Sequence, residues 1–75
     1  MEYTILIHQA EESGFWSEIP ALPGCYSQGE TIDETLHNTK EAIESHLIAL
    51  KENQLAAPIE ESLFIGKVRV EVADL

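Results

Sequence analysis

Basic residues are scarce in this sequence and unevenly placed. Four Lys and Arg stand against fourteen Asp and Glu, a formal net charge of −10 over 75 residues. The first base is Lys40, so residues 1–39 carry seven acids (Glu2, Glu11, Glu12, Glu18, Glu30, Asp33 and Glu34) with nothing to balance them. Nucleic-acid binding relies on Lys and Arg displacing counterions from phosphates. The deficit therefore argues against direct contact with a nucleic acid. An acidic surface is steered instead toward a basic partner, although the same charge by itself would only keep a chain soluble.

Cysteine is almost absent. Cys25 stands alone, which excludes an internal disulfide. No run approaches the ~20 apolar residues that cross a bilayer. The start, MEYTILIHQAEE, lacks the basic residues and apolar stretch of a secretion signal. A cytoplasmic protein without a membrane partner is the expectation. Internal repeats, low-complexity tracts and long linkers are also missing, so residues 1–75 are expected to form one domain. A chain so short buries little, and association is a usual remedy.

What the sequence does contain is organised by two periodicities. EYTILIHQA alternates Tyr3, Ile5 and Ile7 with Thr4, Leu6 and His8, the pattern of a strand. EESG has hairpin composition, and FWSEI follows as an antiparallel partner with Phe15, Ser17 and Ile19 on one face, Trp16 and Glu18 on the other. PALPG breaks the ladder, because neither proline donates a backbone hydrogen bond. CYSQ fits a short third strand between Gly24 and Gly29.

Thr31-Ile32-Asp33-Glu34 is a capping box that starts a helix, with two acids complementing its dipole. At 100° per residue Ile32, Leu36, Ile43, Leu47 and Leu50 form one stripe beside Thr39. That predicts a helix ending near Asn53, with Glu34, His37, Glu41, Glu44 and Glu52 opposite and Ile48 alone among them. QLAAPIEES connects to a last predicted strand in which Val68, Val70 and Val72 alternate with Lys67, Arg69 and Glu71, Gly66 marking a bulge or the strand start. The expected class is α+β, in the order β-β-β-α-β, with a right-handed crossover that sets the last strand parallel to a neighbour. One helix covers one face of such a sheet. Leu6, Trp16 and Tyr26 are left on the bare face, and contiguous exposed apolar side chains mark an interface. A homodimer or higher homo-oligomer is expected.

The stretch GFWSEIPALPGCYSQGETIDETLHNTKEAIESHL resembles the signature of HicB-type antitoxins: an aromatic strand, E-[IV]-P-x-L-P-G-C-x-[ST]-x-G-[DE]-T, then a capped helix with an E-A-I segment. The resemblance is close over residues 1–50 and looser in the last strand. It implies a partial ribonuclease H fold, a four-stranded mixed sheet in the order 3-2-1-4 with the helix on one face. It further implies an inhibitor of HicA-type toxins, small basic ribonucleases with a double-stranded-RNA-binding-like fold, whose active site it blocks by presenting carboxylates where phosphates would lie. Many HicB proteins add a C-terminal DNA-binding segment. The expectation for this sequence, which stops at Leu75, is a short form without direct nucleic-acid contact. The alternative is an orphan HicB-like oligomer that binds another protein or a small ligand without catalysis.

Other chemistry is weighed and set aside. A nucleophilic cysteine needs a thiol pKa lowered by a nearby cation or helix N-terminus; Cys25 pairs with Ser27 on the inward side and reads as a small hydrophobe. His37 and Glu41 are spaced i, i+4, near Glu34 and Glu44, but a zinc site needs three or four ligands. His46 reads as a packing residue and His8 as a border of the bare face. Two-metal nuclease chemistry requires converging carboxylates, and Glu2, Glu71 and the helical acids have no evident common point. No enzyme, cofactor or metal site is expected. Leu6, Trp16, Glu18, Tyr26, Gln28 and Glu30 are the candidate partner-binding residues.

Overall fold

Alternating β-formers and two glycine-punctuated turns fold the first 29 residues into an antiparallel meander. The computed structural model describes residues 1–73. Three strands, β1 (Leu6–Gln9), β2 (Phe15–Glu18) and β3 (Tyr26–Gly29), precede one helix, α1 (Ile32–Glu52). The sheet order is β1-β2-β3. Ile7 lies opposite Ser17, and Ser17 opposite Ser27. The hairpin closes with the Ala10 amide donating to Gly14 O at 3.0 Å. Gly14 has φ +76°, and a Cβ there would stand 2.6 Å from Gly29 O, so glycine is needed for both backbone angle and space.

The proline-rich loop turns inward. Leu22 donates its amide to Ile19 O, Cys25 donates to Leu22 O, and Leu22 itself is only 1% exposed. Leu22, Ile19, Cys25 and Ile43 form the buried core, with Tyr3, Ile5, Ala42 and Leu47 packed against it. The sequence reading treats Leu22 as part of a strand break; here it plugs the core.

Helix α1 starts as the capping box requires. Thr31 Oγ1 accepts from the Glu34 amide at 3.0 Å, and Glu34 reaches back to accept from the Glu30 amide at 3.1 Å, one residue before the cap. The helix ends in a Schellman motif. Gln54 donates to Lys51 O, Leu55 donates to Leu50 O, and Gln54 adopts φ +60° where glycine is usual.

The buried face of α1 overlaps the predicted stripe at Ile43 and Leu47 but is shifted from it at the helix start. Ile32 is 50% and Leu36 41% exposed, while Thr35, Thr39 and Ile43 are buried. The helix is turned by roughly 40° from the apolar centre of its wheel, taking 100° per residue. The cause is close approach: a Cβ on Gly29 would lie 2.7 Å from the Thr35 amide nitrogen. Only small side chains fit such a seam, and here they are hydroxyl-bearing. Thr39 Oγ1 donates to Thr35 O at 2.5 Å, so Ser17 Oγ must donate to Thr39 Oγ1, at 2.6 Å. Thr35 Oγ1 donates to Thr31 O at 2.8 Å. Among the described residues no buried side-chain N or O lacks a partner.

The fourth strand and the order 3-2-1-4 require correction. Residues 67–72 form no strand, and the sheet is three-stranded and wholly antiparallel rather than mixed. After α1 the chain is tied to the approach of β1: Tyr3 Oη donates to Pro58 O at 2.5 Å. Thr4 donates its amide and hydroxyl to the Glu60 carboxylate at 2.5 and 2.8 Å. A side chain thus occupies the amide that a neighbouring strand would pair with. Residues 59–63 then pass against Pro20 and Ala21, beyond the sheet. Val68 and Val70 remain 85% and 71% exposed.

Two substitutions test these local accounts by urea unfolding followed through helical circular dichroism. Thr39→Val leaves the buried Ser17 hydroxyl without its acceptor and should cost about 1–3 kcal/mol, part of which returns in the Ser17→Ala, Thr39→Val double variant. Gln54→Gly should add about 0.5–1 kcal/mol by relieving a left-handed residue at the helix end.

Candidate partner-binding face

The strand register determines which side chains share the face away from α1. Ser17 is buried beneath Thr39, so its neighbours Trp16 and Glu18 point to the opposite side. Leu6 pairs with Glu18 and Glu18 with Tyr26; His8 pairs with Trp16 and Trp16 with Gln28. The result is a two-row grid: Leu6, Glu18 and Tyr26 in one row, His8, Trp16 and Gln28 in the other.

Its centre is aromatic. The His8 ring stacks on Trp16 at 4.3 Å between centroids with 23° between planes, and Trp16 meets Tyr26 at 6.3 Å and 50°. His8 Nε2 lies 2.8 Å from Glu18 Oε2 across the diagonal. Tyr26 is 62% exposed, and Leu6, Trp16 and Glu18 are half-buried. Five of the six candidate residues therefore form one surface. Glu30, just past β3, joins it at one end through a cleft of about 470 Å³ that also involves Phe15, Trp16, Gln28, Glu34 and Asn38. Asn38 Nδ2 donates to Gln28 O at 2.8 Å and fixes that wall. Among the described residues neither Glu30 nor Glu34 meets a Lys, Arg or His. A cation on a partner would find two carboxylates beside an indole.

The remaining chemistry-bearing residues stand apart. His37 Nε2 approaches Glu41 Oε1 at 3.1 Å on open helix surface. Among the described residues no three His, Cys, Asp or Glu side chains gather as a metal would require. His46 is half-buried. Cys25 is buried, and desolvation pushes its thiol pKa up, the opposite of what a nucleophile needs. No described helix is long and apolar enough to cross a membrane. Sequence reasoning placed the bare face correctly but missed the His8–Trp16 stack, the Glu60–Thr4 tie and the hydroxyl seam. Threonines at 31, 35 and 39, four residues apart, were the available signal for the last.

Residues 3–73 match the family model described as HicB-like antitoxin of bacterial toxin-antitoxin system. This chain belongs to the HicB-like antitoxin family. Relatives include the UPF0150 protein ssr1258 of Synechocystis sp., 42% identical over 71 residues that span 95% of this chain and 94% of that one. A UPF0150 protein of Archaeoglobus fulgidus is 38% identical over 72 residues, 96% of each chain. In three dimensions this HicB-like protein is similar to a chain of the solved HicA3 and HicB3 toxin-antitoxin complex. The TM-score is 0.68 with 28% identity, over 80% of this chain and 69% of that one.

The raised thiol pKa of Cys25 has two measurable consequences. In native protein Cys25 should react with a thiol reagent at least about tenfold more slowly than after denaturation. Its folded pKa lies above the unfolded one, so its contribution to stability is complete below the unfolded thiol's ordinary value of 9.0 and declines as pH rises beyond it. Native labelling as fast as that of the denatured chain would contradict the buried placement.

Proposed function

We propose that this HicB-like protein binds a HicA-type mRNA-cleaving toxin and neutralises it by blocking the toxin's active site, without catalysis of its own. The observation that carries this reading is the fold likeness to a chain of the HicA3 and HicB3 toxin-antitoxin complex. The bare sheet face supports it. Trp16 and Tyr26 provide the kind of aromatic centre on which interface energy concentrates. Glu18, Glu30 and Glu34 surround it with charge suited to a basic ribonuclease. Leu6 and Gln28 complete the contact. In this reading the seven unbalanced acids of residues 1–39 set the association rate more than the final affinity. The site of action is the cytoplasm, where mRNA is the toxin's target, and the chain works as one domain with no nucleic-acid contact of its own.

The test is co-expression with a small basic HicA-type toxin, together with RNA cleavage in vitro. Growth arrest and cleavage should both be relieved by the wild-type chain. Trp16→Ala should weaken the complex by about 2 kcal/mol, roughly thirtyfold. Glu18→Lys should slow association and blunt its salt dependence. Failure of the wild-type chain in both assays would reject the toxin and leave a HicB-like binding domain for another protein.

A further inference from the structure

The residues after α1 pose a problem that the single chain leaves unsolved. Val68, Val70 and Val72 alternate with Lys67, Arg69 and Glu71, the pattern of a strand with one apolar side. Yet Phe64, Ile65 and all three valines lie open to solvent. The arm stands off the body: the molecule extends 54 × 29 × 17 Å and has a radius of gyration of 15.5 Å, against about 11 Å for a compact chain of this length.

A seat of matching character lies empty on the same molecule. Helix α1 packs mainly on β3 and less on β2. β1 pairs only with β2, so its outer edge carries no strand among the described residues. Beside that edge runs a mostly apolar groove of about 340 Å³, lined by Tyr3, Ile5, Ile43 and Leu47 with Lys40 and Glu44 on its rim. The chain's own arm is led away from it. Pro58 and Glu60 are held at Tyr3 and Thr4, and residues 59–63 pass toward Pro20 and Ala21.

We propose that the arm of a second copy fills this seat: residues 63–72 of each protomer add to the open β1 edge of the other, with Val68, Val70 and Val72 in the groove between Ile5 and Ile43. Electrostatics favours the arm as the contacting part. Residues 1–60 contain eleven acids and two bases, whereas residues 61–73 contain two acids (Glu61 and Glu71) and two bases (Lys67 and Arg69). The arm is thus the neutral portion of a strongly acidic chain, the part able to approach another acidic body. In the paired strand Lys67 and Arg69 turn to the face that carries Glu18, opposite the valines. Reciprocal exchange closes a twofold dimer in which both β1 edges are occupied. Strand addition of this kind draws affinity from backbone hydrogen bonds and register from alternate side-chain pockets. This inference stands apart from the toxin reading, since it concerns the purified chain alone.

The full-length protein tests it without a partner. Light scattering after gel filtration should give twice the 8.4 kDa chain mass. Val70→Lys changes a side chain exposed in the single chain, so the helical circular dichroism should be retained while dimer dissociation rises at least tenfold. Copies carrying only Ile5→Cys, mixed and oxidised with copies carrying only Val68→Cys, Val70→Cys or Val72→Cys, should form a disulfide-linked heterodimer for at least one pair. A monomer at all working concentrations overturns the proposal, as does a dimer indifferent to Val70→Lys. Failure of every mixed pair to cross-link, with double-cysteine chains closing only on themselves, would likewise assign the seat to the chain's own arm.

Discussion

The close approach of α1 to β3 at Gly29 decides where the rest of the molecule can go. A Cβ on Gly29 would meet the Thr35 backbone nitrogen at 2.7 Å and Thr35 Oγ1 at 2.8 Å. Backbone cannot retreat as a flexible side chain can, so the helix start is held against the sheet. Side chains in that seam must be small, and being threonine and serine they must also satisfy their hydroxyls. The chain Ser17 to Thr39 to Thr35 O does so with no donor left over. Larger apolar residues of the first helical turns, Ile32 and Leu36, are displaced to the margin, and the greasy core shifts to the other end of the sheet around Ile19, Leu22 and Ile43.

A helix held over β3 cannot also cover β1. The sheet therefore has one bare face and, at β1, an edge left uncovered, of different chemistry. The face presents rings and carboxylates in a grid imposed by register. The edge presents backbone, with aliphatic side chains in the adjoining groove and a single carboxylate, Glu60, satisfying Thr4. Glu60 acts on that edge as capping side chains act on helix ends: it satisfies a polar group that no strand of the same chain reaches.

Features governed by neighbours in sequence were legible in advance. The meander, the punctuation by Gly14 and Gly24, the capping box and the helix end follow from alternation, turn residues and caps, all read within a few positions. The assignment of Trp16 and Glu18 to the bare face followed from parity alone. Features governed by distant partners were not. A helical wheel weighs Ile32 above Thr35 because it scores transfer free energy; it has no knowledge of a glycine on the opposing strand. The valine alternation correctly reported a preference for strand conformation, but a strand exists only when an edge pairs with it, and parity names no edge. Leu22 lay hidden between prolines, where composition speaks of breaks rather than burial.

The charge distribution links these surfaces. Two bodies of this chain repel each other, so any self-contact must be made by its neutral portion and must rely on burial and backbone pairing. A basic partner faces the reverse situation. It would be attracted from a distance by carboxylates that are mostly solvated, where each pair contributes little, and would meet the His8–Trp16–Tyr26 cluster at contact. Affinity and approach thus reside in different atoms of one face. The aromatic rings favour any partner with a complementary apolar patch, and the surrounding acids exclude acidic ones, the bodies of its own copies included. A chain that had to find a basic protein among many acidic ones would gain selectivity from that division.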